Sequence, residues 1–289
     1  METLKTGILA VIGFALGIAA ESAWGASKTL SLNSRQIIDG VADCLRNEGV
    51  VGTAKMGVQF GYEELLRPFV PRSGEYVEYN GVKVDERRVL DSFVPAATIQ
   101  KWEDKPEYEE PIVAALRAHV EPDDNVLILG GGAGVSATVA AESVADGDGH
   151  VTVYEAAQRQ LSNIDRTLEV NDVADDVTVN HAIVEEDRNV FGVTGEAEAI
   201  SAETLPECDV LEMDCEGAET AVLRNLQSDP RVIIVETHGN LDAPTNEVQR
   251  LLAERGYGVV AERPGMPEQD IYILTAVRED ALPDAAARR

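Results

Sequence analysis

Positive charge is what this sequence has least of. Lysine occurs only at Lys5, Lys28, Lys55, Lys83, Lys101 and Lys105, and 24 Lys plus Arg face 52 Asp plus Glu, a net charge of -28. No basic stripe is visible, which argues against nucleic acid as a partner, because phosphate binding needs one. An acidic substrate is disfavoured too, unless local arginines supply its site. Cysteine is scarce: Cys44, Cys208 and Cys215 form no CxxC. An odd, widely spaced set excludes a disulfide framework and fits reduced cytoplasmic thiols. Histidine is scarce as well, and His119, His150, His181 and His238 make no HxxxH or HExxH pair. A zinc enzyme is therefore not expected. Nor is there a long apolar run. Residues 7–20, GILAVIGFALGIAA, carry no charge, but fourteen residues make only about 21 Å of helix against a hydrocarbon core of ~30 Å.

What is present points to an ordered interior. Hydrophobic residues make up 44% of 289, enough for one α/β domain and an extension. The acidic excess is what a surface needs to stay hydrated in concentrated salt, where the Debye length falls to roughly 3 Å, and it is read as adaptation to a salty cytoplasm. Residues 7–20 are expected to form a helix packed on the protein or a partner. Peripheral membrane contact and a signal-peptide core are the alternatives, the latter without a clean A-x-A cleavage site.

The chain is expected to divide into an N-terminal extension over 1–105, an α/β domain over 106–277 and a flexible tail over 278–289. In the extension, Ser34 caps a helix to about residue 47, a second helical stretch covers 62–68, and EYVEY-NG-VKV reads as a β-hairpin over 76–84. Asn80-Gly81 tolerates the positive φ angles of a type I′ turn. From residue 111 short apolar strands alternate with helices. Helices are expected over 111–119, 135–144, 157–170, 218–226 and 246–255. Strands are expected over 126–129, 150–154, 177–181, 209–213 and 232–236, with a short strand within 188–201. That alternation predicts a doubly wound, mostly parallel sheet covered on both faces. Two consecutive strands, 258–262 and 271–275, predict an antiparallel edge hairpin.

Four places carry candidate chemistry. The turn after the first strand reads Gly130-Gly131-Gly132-Ala133-Gly134. Glycines there let backbone approach a ligand and aim helix N–H groups at it. A dinucleotide fingerprint needs glycine at i, i+2 and i+5, and the i+5 residue is Val135, so it fails. Glycine at i, i+2 and i+4 is met by Gly130, Gly132 and Gly134, the spacing of an S-adenosylmethionine (SAM) loop. Glu155 ends the second strand, where a carboxylate can accept both ribose hydroxyls. Asp214, in DVLEMDCEGAE, falls at the carboxyl end of the fourth strand, beside the point where the strand order reverses. Glu216 and Glu219 would open the next helix, where carboxylates ordinarily serve the helix dipole. His238, in VIIVETHG, lies past the fifth strand and is the histidine placed for proton transfer.

These stretches, VLEMDCEGAE, VIIVETHG and LLAERGY, together resemble the FkbM-type SAM-dependent methyltransferases, whose signature is an apolar strand ending in D-x-E-G-A-E. The resemblance covers about residues 111–275. It implies a class I methyltransferase fold and methyl transfer from SAM, usually to an oxygen of a sugar, lipid or natural product. By position it implies that Gly130, Gly132 and Gly134 line SAM, that Glu155 holds the ribose, that Ala182 sits by the adenine, and that Asp214 faces the reaction centre. One departure stands out. The acid usual two places before the first glycine, which orients the methionine end of SAM, is Ile128 here. SAM binding is then weaker, or another carboxylate takes the role.

The implied chemistry is in-line displacement at a sulfonium, with the acceptor proton removed by Asp214 or His238. No resident metal is expected; Mg²⁺ on the oxygen ligands of Asp214, Glu216 and Glu236 is the less favoured alternative. The expected partner is a small-molecule or glycan acceptor. Two rival readings remain: a nucleotide-dependent oxidoreductase or epimerase, and a non-catalytic assembly factor on a methyltransferase fold, suggested by Ile128 and the apolar N-terminus.

Overall fold

The computed structural model describes residues 49, 52, 70–85, 89, 103–185 and 194–281. The helices expected over 7–20, 34–47 and 62–68 lie outside the described residues, as does the tail beyond residue 281. The chain divides into two units, and the sheet lies in the one formed by Tyr76–Asp85 and Asp104–Arg289.

That unit begins with the hairpin β1 (Val77–Tyr79) and β2 (Val82–Val84), turned by Asn80 at φ 49 and Gly81 at φ 89. Both positive angles are the type I′ turn expected from Asn-Gly. Next come α1 (Glu110–His119), β3 (Asn125–Leu129), α2 (Val135–Val144), β4 (His150–Glu155), α3 (Gln158–Val170) and β5 (Val177–Val184). Then follow β6 (Glu198–Ile200), β7 (Val210–Met213), α4 (Glu219–Asn225), β8 (Val232–Glu236), α5 (Thr245–Glu254), β9 (Tyr257–Met266) and β10 (Ile271–Arg278).

The hairpin, expected as part of the extension, packs inside the sheet unit. Asn171, just past α3, donates to the Lys83 carbonyl at 2.8 Å and accepts from the Lys83 amide at 3.1 Å. Arg166 of α3 meets Asp85 at 3.1 Å. The Tyr79 ring stacks on Tyr108 at 4.7 Å.

The large sheet has eight strands in the order β6-β5-β4-β3-β7-β8-β10-β9. Pairing is parallel from β6 to β8 and antiparallel at β8–β10 and β10–β9. This is the mostly parallel sheet with an antiparallel edge hairpin that the sequence pattern predicts; β9 runs further than expected, to Met266. The reason for the burial is compositional. NVLIL, VLEM and VIIVE fill the three central strands, buried on both faces as parallel strands are. α2, VSATVAAESV, is buried nearly all round, whereas α3 and α5 bury one stripe each.

The chain winds outward from β3 through β6 and then returns to β7 on the other side of β3. The strand order therefore reverses between β3 and β7, and their carboxyl ends diverge to leave the crevice where open α/β sheets bind ligands.

Candidate active site

The glycine turn after β3 is shaped by three different constraints. A side chain at Gly130, at φ 100, would overlap the backbone carbonyl of Asp214. Gly134, at φ 84, starts α2 and lies 3.1 Å from Ile164 and Thr167 of α3 by the position its Cβ would take. Gly134 therefore lets two helices approach and does not line the cavity. Gly132, at φ 50, faces open space, with only Glu109 Oε1 near at 3.9 Å. Packing does not require glycine there; backbone conformation and the approach of a ligand do.

Glu155, buried at the end of β4, ties this turn down. Its Oε2 accepts from the amides of Gly131 at 2.9 Å and Gly132 at 3.2 Å, and its Oε1 from the Ala157 amide at 2.6 Å. Burial raises its carboxyl above the usual range, and those amides pull it partly back.

A cavity of about 220 Å³ opens at the carboxyl ends of β3, β4, β5 and β7. Gly130, Gly132, Glu155, Ala182 and Asp214 all line it, so these residues, far apart in sequence, converge on one space. Glu109, Glu212 and Glu216 add carboxyl groups to its wall, and no Lys, Arg or His among the described residues lines it.

Two of these carboxylates were not foreseen. Glu212 is paired in register with Ile128 on the neighbouring strand. It is 1% exposed, and its Oε2 has no hydrogen-bond partner. Burial, then the charges of Asp214, Glu109 and Glu236, push its carboxyl well above the usual range. The acid missing at Ile128 thus has a counterpart one strand across. Its signal was an acid interrupting the apolar run VLEM, in a strand that parallel packing buries on both faces. Glu109, just before the helix expected from residue 111, caps α1 from a left-handed conformation at φ 47. Burial and the nearby Asp214 charge raise its carboxyl to about 7. No local pattern marks it.

The D-C-E-G-A-E stretch forms the turn between β7 and α4. Glu216 and Gly217 both have positive φ, 52 and 102, and a side chain at Gly217 would overlap the Leu241 carbonyl. The signature glycine is therefore where the loop after β8 presses on this turn. Two residues on, Glu219 is fully buried. Its Oε1 accepts from His238 Nδ1 at 2.8 Å and from the Cys215 amide at 3.2 Å. Glu219 thus does more than serve a helix dipole: it joins the turn after β7 to the loop after β8.

His238 is 4% exposed and stands beside the cavity, not in its wall. Its Nε2 faces Asp214 at 3.5 Å, Glu216 at 3.9 Å and Glu236 at 4.0 Å. Burial works against its charge, but the Glu219 hydrogen bond and the surrounding carboxylates outweigh this and raise the imidazole to about 9. The carboxylates around it favour the protonated ring, which disfavours it as a proton acceptor. Asp214 is raised to about 6, by burial first, with the imidazolium holding it down. Glu236 is raised to about 8, by burial and the Asp214 charge.

A family model described as the methyltransferase FkbM domain matches residues 93–259. The chain belongs to the FkbM methyltransferase family. As an FkbM methyltransferase it is an enzyme whose methyl donor is SAM, which removes the oxidoreductase and assembly-factor readings. Among solved structures it is similar to a precorrin-6y C5,15-methyltransferase from Geobacter metallireducens, with 22% identity over 62% of this chain and 93% of that one, TM-score 0.43. It is also similar to a ribosomal protein L11 methylase from Lactobacillus delbrueckii subsp. bulgaricus, with 13% identity over 64% and 89%, TM-score 0.44. No curated protein matches the chain. Among the described residues of this FkbM methyltransferase, no helix is long and apolar enough to cross a membrane.

Proposed function

We propose that this cavity holds SAM and that the enzyme methylates a hydroxyl oxygen of an uncharged acceptor: a sugar, glycan, lipid or other small molecule. The observation that carries the reading is the cavity wall, which brings five carboxyl groups together, with Gly132 opening onto it. SAM carries a sulfonium and an ammonium, and a low-dielectric carboxylate wall favours such cations. The same wall repels a phosphate or carboxylate on the acceptor. Glu155 keeps lone pairs for the ribose, Ala182 leaves flat space for the adenine, and Glu212 offers its unpaired oxygen to the ammonium in place of the acid absent at Ile128.

The reaction is a displacement. The acceptor oxygen attacks the methyl carbon in line with the carbon–sulfur bond. A carbon–oxygen bond forms as that bond breaks, and the sulfur leaves with the electron pair as S-adenosylhomocysteine. The hydroxyl proton passes to Asp214, which is ionised above pH about 6 and lines the cavity. His238 acts on Asp214 as a buried positive neighbour that keeps the carboxylate charged. Glu219 fixes the ring in place.

The test is calorimetric titration of the purified protein with SAM in molar KCl. It is followed by methyl transfer from labelled SAM to neutral and to acidic saccharides. Saturable SAM binding with label only on neutral acceptors is expected. Absence of SAM binding at millimolar concentration would remove the assignment of the cavity, and label on acidic sugars would remove the acceptor class.

A further inference from the structure

We propose that Asp214, Glu236 and His238 form a binding site for a divalent first-row transition-metal ion. One oxygen from each carboxylate and one histidine nitrogen all lie within 4.8 Å of one another. Ligands bound at about 2.0–2.2 Å to one ion sit roughly 3–4.4 Å apart. His238 Nε2 is 3.5 Å from Asp214 Oδ1 and 4.0 Å from Glu236 Oε1. Both exceed the usual hydrogen-bond length, so the groups are held as loose ion pairs at the spacing that ligands of one ion take.

Three further observations point to a cation. His238 is 4% exposed, and its Nε2 is aimed at the carboxylates of Asp214, Glu216 and Glu236, at 3.5, 3.9 and 4.0 Å. Its other ring nitrogen is locked by buried Glu219 at 2.8 Å, the arrangement in which a second carboxylate orients a metal-bound histidine. Glu212, 1% exposed and two residues before Asp214, leaves one carboxyl oxygen without a partner among the described residues. Imidazole with two carboxylates selects manganese, iron or zinc over Mg²⁺, which prefers oxygen and water throughout. Three protein ligands leave coordination positions open, as in catalytic sites. Binding the ion displaces the proton from His238 Nε2, so the ion takes over the positive charge that the imidazolium otherwise places beside Asp214, and Asp214 keeps its second oxygen for the acceptor proton. Use of an open position by the acceptor oxygen rests on the methyl-transfer reading, and binding of the ion does not.

The experiment uses the full chain, stripped with chelator and held in molar KCl so that exposed carboxylates are screened. Mn²⁺ is titrated and followed by electron paramagnetic resonance, and SAM is titrated separately. One saturable Mn²⁺ site with nitrogen hyperfine coupling is expected. His238→Ala and Glu236→Gln should abolish it. Glu219→Gln should weaken it about 10- to 100-fold, the usual effect of losing an orienting partner, and Glu262→Gln on exposed β9 should leave it unchanged. His238→Asn, which keeps a donor for Glu219, covers the case in which the alanine variant does not fold. No saturable site, or an equal site in the folded His238 variants, overturns the proposal. Mn²⁺ binding without SAM binding would sink the assignment of the cavity to SAM and leave the ion site standing; the converse would do the reverse.

Discussion

At the scale of single residues, the same side chain type does different work according to what surrounds it. Glu155 engages three backbone amides with two oxygens. A carboxylate has about four lone-pair sites, so there is room for a ribose hydroxyl as well. Glu155→Ala is expected to weaken SAM by about 1.5–3 kcal/mol, roughly 10- to 150-fold, the scale of hydrogen bonds to a charged group. It should also lower the melting temperature, because three amides lose their acceptor. Wild-type affinity in a folded alanine variant would remove the ribose role. Glu109 permits a pH test. Its carboxyl is raised to about 7, so it gains negative charge as pH rises from 6 to 8. A cation in the cavity then binds more tightly at pH 8 than at pH 6, and Glu109→Gln should flatten that rise. A variant that keeps the full slope in calorimetry would show that Glu109 does not face the cofactor.

At the scale of elements, the two glycine turns carry opposite burdens. Gly217 holds φ 102 against the Leu241 carbonyl. Gly217→Ala is expected to cost at least about 2 kcal/mol, from backbone strain and from the displaced loop after β8. His238 and Glu219 would shift with that loop. Gly132 holds φ 50 with open space beyond it. Gly132→Ala should cost only about 1 kcal/mol of left-handed strain and keep the fold, while SAM affinity falls because the methyl group intrudes on the cavity. Thermal melting and SAM titration of the two variants separate these roles. A Gly217→Ala protein as stable as wild type would contradict the close contact with Leu241.

At the scale of the whole molecule, charge dominates. With a net charge of -28, self-repulsion in dilute buffer opposes compaction, and salt screens it. The melting temperature is expected to rise steadily between 0.1 M and 3 M KCl. A flat profile would argue against adaptation to salt. The cavity adds to this sensitivity, because Glu109, Glu212, Asp214 and Glu236 crowd one buried region. A bound cation, whether SAM or a metal ion, should stabilise the protein through mass action.

The sequence by itself determined the architecture, because alternation of short apolar strands with amphipathic helices is a local pattern, legible without knowing what packs on what. It also located Gly130, Gly132, Glu155, Ala182 and Asp214, through glycine spacing, the ends of predicted strands and the family resemblance. Tertiary structure decided the rest. Among 52 acidic residues, nothing local separates Glu109 from a solvated carboxylate, and the D-x-E-G-A-E signature marks Glu219 without telling that it is buried against His238; those surroundings are set by distant segments. Gly134 looked like a ligand residue until α3 was seen to press on it. His238 looked like a base, and its charge state was decided by Glu219, Asp214 and Glu216, brought around it by the turn after β7. A histidine's readiness to take a proton depends on the field of its neighbours, and those neighbours meet only when β7 and β8 lie side by side.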